Sequence, residues 1–328
     1  MYQMMSLPLY SGTFQEYDSW RDLGQELERL GCDGIEGVWG GEDLPKDLPA
    51  ELILGYHLIF YPDWLDFYRD DRAALKQKFG SLEAVASFYG GLGPDTLLEQ
   101  YRADLRRAVN LGARYVVFHV SDVSLEEGYT YRWLHTNQEV IDAAVEVVNL
   151  ILGEERWPFE FLVENQWWPG FTFTEPEETA RLLEGIRFAG KGILLDTGHL
   201  MNACTELKTE AEGADYIRSM LNRHGSLAKW VRGVHLHQSL SGAYVKAHTG
   251  SLPAGLPEDY MERFGVSYQH ILQIDQHRPW TDPAILPVLE QIEPRYLTHE
   301  LSSRGRMARA EAVSIRTRLL RQGGRMRV

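Results

Sequence analysis

Cysteine is scarce in this chain: Cys32 and Cys204 are the only two among 328 residues, and they stand far apart. A disulfide framework and a thiolate zinc site both need several closely spaced thiols, so both are excluded and a reducing compartment is expected. Long apolar runs are also missing. No stretch reaches the roughly 18 residues of a membrane helix, and the opening MYQMMSLPLYSGTF lacks the basic flank and apolar core of a secretory leader. A cytoplasmic protein with no membrane partner is expected. Positive charge is in deficit, with 33 Lys and Arg against 47 Asp and Glu and a net charge of −14. Such a surface repels phosphate backbones, so nucleic acid is not the expected partner. Neither GxGxxG nor GxxxxGK[ST] occurs, which removes the usual nucleotide-binding signals.

What is present is ordinary globular composition, 44% hydrophobic and 24% charged, so disorder and fibrous repeats are excluded. Short apolar segments alternate with longer amphipathic ones. Strands are expected at 5–10, 34–38, 52–58, 115–120, 159–165, 192–198, 231–238 and 296–301. Helices are expected at 19–31, 94–112, 136–152, 175–190, 214–225, 282–292 and 308–320, several opening on Thr, Pro or an acid and closing on Gly. The irregular aromatic segment 59–93 reads as a loop with short helices, serving as a pocket lid or as a contact between identical chains. The residues after Leu320, RQGGRMRV, read as a solvated basic end. Eight strands in 328 residues, about 41 per unit, fit a single α/β domain over residues 1–328. The expected form is a (β/α)8 TIM barrel with long loops at its C-terminal face rather than an open doubly wound sheet.

Barrel chemistry is built at the C-terminal ends of the strands. Read in order, those ends carry Glu36, His57, His119, Glu164, Asp196 with His199, His235 with His237, and His299 with Glu300. Parallel strands are mostly apolar, and a buried ionisable group is costly unless paired or metal-bound, so one such residue per strand end points to a metal site. Glu164, Asp196, His235 and Glu300 form the sharpest subset. Three carboxylates and an imidazole make a hard, oxygen-rich site for Mn²⁺, Mg²⁺, Co²⁺ or Zn²⁺. Trp39, Trp64, Trp167 and Trp168 follow strand ends, where a ring can stack on a sugar or simply pack the rim; Trp167 is weighted toward the pocket. Lys246 and Arg304 are the basic groups near this face, and His277 in IDQHRPW is read as a loop histidine without a role.

The strings FLVEN, LLDTGH, GVHLHQS and LTHE resemble strands five to eight of the xylose isomerase-like TIM-barrel superfamily, and the resemblance runs from about Glu36 to Glu300. That superfamily holds sugar and sugar-phosphate isomerases and epimerases beside metal-dependent apurinic endonucleases. The resemblance implies one divalent metal on Glu164, Asp196, His235 and Glu300. In the epimerase branch it further implies that Glu164 and Glu300 act as acid and base, moving a proton on the carbon next to a carbonyl. His199 would hold a substrate hydroxyl, with His119, His57, Trp167, Lys246 and His237 around the substrate. In the endonuclease branch, His57 and His119 would join Glu164 around a second metal. A third would need an Asp-x-His pair in the loop after strand seven; read at KAHTG, where His248 has no second histidine at Gly250, that loop argues against it.

Two functions follow as expectations. The first is a metal-dependent sugar or sugar-phosphate isomerase or epimerase with a small carbohydrate substrate. The alternative is a phosphodiester hydrolase of the apurinic-endonuclease kind with two or more metals. The first is favoured by acids assigned to the rim, including Glu42, Asp43, Asp63, Asp66, Glu126, Glu127, Glu175, Glu177 and Glu178. A non-catalytic ligand-binding barrel is a third class, and pairing of identical chains through exposed helices or loops suits any of them.

Overall fold

Each of eight apolar segments runs parallel to the next, and the eighth pairs back with the first. The strands are β1 (Tyr2–Leu9), β2 (Gly34–Trp39), β3 (Ile53–His57), β4 (Tyr115–His119), β5 (Glu160–Glu164), β6 (Lys191–Asp196), β7 (Val231–His235) and β8 (Tyr296–His299). Together they close a (β/α)8 barrel. The structure, a computed structural model, describes residues 1–322. The helix Arg306–Gln322 covers the start of the tail after Leu320, and the rest of that basic end lies outside the described residues. Among the described residues no helix is long and apolar enough to cross a membrane.

Local chemistry sets the helix ends. Ser19 caps the helix Trp20–Leu30 by accepting from the Asp22 amide, and Gly31 closes it in the left-handed conformation at φ 73°. Reciprocal capping boxes start the helices Leu125–Thr130, Asn137–Leu152 and Glu210–His224, joining Ser124 to Glu127, Thr136 to Glu139 and Thr209 to Glu212. The last box starts its helix four residues before the expected 214. Strands β7 and β8 stop short of their expected ends, which leaves His237 and Glu300 just beyond them.

The outer faces of the strands meet the helices in the main core, while alternate residues fill the barrel itself. Met4, Leu54, Tyr115, Val117, Leu162, Leu194 and Tyr296 make that inner plug. Gly55 is required beside it, because a Cβ there would overlap the Tyr115 hydroxyl. No element was expected between 239 and 281, yet two helices occupy it, Gly242–His248 and Tyr260–Ile274. The second packs on the segment 59–93, with Phe79 stacked on Tyr260 at 3.9 Å and Phe88 against Phe264 at 5.4 Å.

A buried ionic network holds segment 59–93 to the barrel. The ammonium of Lys78 lies 2.7 Å from both Asp63 and Asp66, and Asp122, just after β4, accepts from the amides of Trp64 and Leu65 at 2.8 Å. Asp63, Asp66 and the capping Glu127 are therefore interior groups; the expectation that they belong to the acidic rim is corrected, since each has a buried donor. Burial pushes Asp63 up to about 7, against the pull of Lys78, while His135 and Lys78 hold Asp66 down to about 2. Replacing Lys78 with Met takes the ammonium from two buried carboxylates, Asp63 and Asp66. Lys78→Met is expected to cost about 3–5 kcal/mol, read as a lowered midpoint in thermal or urea unfolding; an unchanged midpoint would show that the network is not needed.

Candidate metal centre

The two-residue alternation that fills the barrel also builds its mouth. Two positions beyond the plug residues Val117, Leu162 and Leu194 stand His119, Glu164 and Asp196, and two beyond Gly55 and Gly233 stand His57 and His235. Strand register then sets these side by side: His119 is paired with Glu164, and Asp196 with His235. On β8 the same step runs Tyr296, Thr298, Glu300.

Three donor clusters result, and in each the ligand atoms lie within 4.8 Å of one another. The first joins His57, His119 and Glu164, whose Oε2 is 3.3 Å from His57 Nε2 and 3.2 Å from His119 Nε2. The second joins Glu164, Asp196, His235 and Glu300; His235 Nδ1 is 2.8 Å from Glu300, 3.5 Å from Glu164 and 3.6 Å from Asp196. The third joins His199, His237, Asp275 and His277, with Asp275 Oδ2 3.3 Å from His199 Nε2 and 2.6 Å from His277 Nε2. Glu164 belongs to the first two and approaches His199 of the third at 3.1 Å.

The donor set suits divalent cations in all three clusters. Both oxygens of Glu164, Nδ1 of His235 and of His237, Oδ1 of Asp275 and Oε2 of Glu300 are buried without a hydrogen-bond partner. Orphaned atoms of this kind are expensive in a dry interior unless a cation takes them up. Protons hold part of the balance. Burial alone would raise Glu164, but the imidazoles, His119 and His235 foremost, hold its carboxyl well below the usual range. Against the effect of their burial, His235 is held well above its ordinary value by Glu300 and Glu36, and His199 by Asp196 and Asp275. His277, beside Asp275, is pushed up to about 9, and Glu300, facing His235 and His277, down to about 2.

The groups behind the ligands fix their orientation. Glu36 is fully buried below the mouth and accepts from Tyr115 Oη at 2.5 Å, Thr298 Oγ1 at 2.9 Å and His235 Nε2 at 2.8 Å. That last bond places the His235 proton on Nε2 and turns the Nδ1 lone pair toward Glu164, Asp196 and Glu300. Asp196 caps the short helix Thr197–Asn202 through the His199 amide at 2.7 Å. Gly198 sits where a Cβ would overlap the His237 ring, so the DTGH string needs its glycine.

Several expected roles change. His237, expected around the substrate, is fully buried, 2.7 Å from Asp196 and stacked on His277 at 4.0 Å; it joins the third donor cluster and is off the cavity wall. His199 likewise joins that cluster. Lys246 pairs with Glu206 at 2.7 Å on the exposed helix Gly242–His248 and is off the cavity wall, so its substrate role is withdrawn. Trp39 packs under the Arg107 guanidinium and Trp64 donates to the Ser121 carbonyl, whereas Trp167 and Trp168 line the cavity. The third cluster supplies an Asp-x-His pair away from KAHTG: Asp275 and His277 stand on a loop that runs through two helices before returning to the mouth. The string DQH was visible in IDQHRPW but lay far from β7 in sequence.

A family described as xylose isomerase-like TIM barrel matches residues 25–291. No curated protein matches the sequence. Among solved structures, a D-tagatose 3-epimerase-like protein aligns over 99% of this chain and 98% of its own at 15% identity and TM-score 0.54. Mannonate dehydratase from Streptococcus suis aligns over 100% and 96% at 13% identity and TM-score 0.53. An L-ribulose 3-epimerase aligns over 99% and 96% at 14% identity and TM-score 0.52. At these identities the likeness is one of fold.

Two outcomes follow from the centre. Adding Zn²⁺ or Mn²⁺ to metal-free protein at neutral pH is expected to release protons, because raised imidazoles such as His277 must give theirs up; a pH-stat trace without release would oppose cation binding at these nitrogens. Glu36→Gln is expected to weaken metal affinity roughly 10- to 100-fold by chelator competition, and unchanged affinity would show that His235 needs no such partner.

Proposed function

The chain belongs to the xylose isomerase-like TIM barrel family, and from that premise we propose that it is a metal-dependent hydrolase of phosphoesters with a small-molecule substrate. The observation that carries this reading is the third donor cluster. With His57 and His119 beside Glu164, and Asp275 and His277 beside His199, the mouth has donors for up to three cations, the pattern that the resemblance to the apurinic-endonuclease branch implies.

Residue placement weighs the same way. An acid and base pair working on either face of a sugar requires both glutamates to reach substrate. Glu164 is wholly buried among His57, His119 and His199 and is absent from the cavity wall, whereas Glu300 lies on it. Glu164 thus serves as a shared ligand, and Glu300 is the carboxylate placed to take a proton from an attacking water. Bound divalent cations would neutralise phosphate charge and polarise the phosphorus centre. Arg304 stands on the cavity wall, where it can pair with a phosphate oxygen. The cavity encloses about 1160 Å³, which suits a small ester. The epimerase reading retains Glu300, together with the fold shared with two 3-epimerase structures.

Elemental analysis of protein loaded with Zn²⁺ or Mn²⁺, followed by phosphomonoester and phosphodiester panels and a parallel ketose and aldose panel, tests the proposal. Two or three ions per chain and ester turnover are expected, with Glu300→Gln losing about 10²- to 10⁴-fold in rate. A single ion with sugar interconversion and no ester cleavage would overturn it.

A further inference from the structure

The cavity above the clusters has two unlike halves. Its floor is polar, formed by His57, His119, His199, His277, Asp275 and Glu300. Its remaining wall is largely rings and aliphatic groups drawn from two loops that meet over the mouth. Phe60, three residues beyond His57, is 48% exposed in an otherwise well-packed region and lies 4.5 Å from the His119 ring. Phe88 comes from segment 59–93, Phe264 and Tyr268 from the helix Tyr260–Ile274, and the contact between Phe88 and Phe264 at 5.4 Å joins the two loops into one roof. Trp167, 5.0 Å from the His199 ring, completes the side nearest the third cluster. Among the described residues, Arg304 is the one lysine or arginine on the wall.

This division constrains the substrate. A polyhydroxylated body would place much of its hydroxyl surface against Phe60, Phe88 and Phe264, which offer no hydrogen bonds, leaving those hydroxyls unpaired once water is expelled. A planar apolar group, by contrast, gains contact with every ring it meets. Resting on the phosphoester reading above, we propose that the substrate is amphipathic. Its phosphate head sits over the metal-ligand clusters beside Arg304, and its aryl body stacks in the roof formed by Phe60, Phe88, Phe264 and Tyr268.

Two non-hydrolysable probes separate the halves. Benzylphosphonate and methylphosphonate carry the same head, so calorimetric titration of metal-loaded protein isolates the contribution of the ring. Benzylphosphonate is expected to bind roughly 30- to 100-fold more tightly, the effect of burying about one phenyl ring. Phe264→Ala is expected to shrink that ratio several-fold with methylphosphonate affinity unchanged. Tyr268→Ala, at a residue 51% exposed and outside the buried core, is expected to act in the same direction. Equal affinity for the two probes, or a ratio untouched by both variants, would overturn the aryl assignment while leaving phosphoester hydrolysis standing. Failure of both probes to bind would overturn both, since the head itself would then have no site.

Discussion

Everything at the mouth of this barrel depends on how negative charge is compensated around Glu164. Its carboxylate is wholly enclosed, with imidazoles of His57, His119 and His199 at 3.1–3.3 Å and no bond of hydrogen-bonding geometry to either oxygen. A lone carboxylate in that position would protonate, and three of them would drive one another's pKa upward. Here the surrounding histidines push it the other way, so the site is poised to exchange protons for cations. Asp196 and Glu300 share in that balance through His235, and Asp275 through His199 and His277.

Such a centre persists only if its ligands cannot turn away from one another. The barrel provides this through depth. Beneath the ligands lies Glu36, held by Tyr115 and Thr298, and beneath that the apolar plug in which Gly55 makes room for the Tyr115 ring. Above them the segment 59–93 and the helix Tyr260–Ile274 lock together through rings, while Lys78 braces the first of these internally against Asp63 and Asp66 and Asp122 ties it to the end of β4. The result is a polar floor beneath a largely apolar, half-open roof, where charges are screened less than in bulk water.

Much of this was legible in the residues. Strand periodicity and glycine punctuation gave eight βα units, and the ligand types at strand ends placed Glu164, Asp196, His235 and Glu300 together, because adjacent parallel strands must present their ends at one face. His57 and His119 were legible as a second group for the same reason. The third cluster was not. Asp275 and His277 follow β7 by about 40 residues, and the longer of the two intervening helices buries against another loop, so its apolar spacing gave no clue to where the chain returns. Lys246 failed for the opposite reason: closeness in sequence to β7 suggested the pocket, but a neighbouring carboxylate on the surface claimed it.

The barrel and the ring of donor side chains at its mouth are written in local pattern, since both arise from short-range alternation repeated eight times and closed by pairing of β1 with β8. Long-range packing settles which carboxylate is shared between clusters, that His237 and Asp275 join a third, and that rings roof much of the cavity. Those features depend on loops crossing from different strands, and contacts between residues far apart in the chain are set by packing across the whole mouth, which no local pattern encodes.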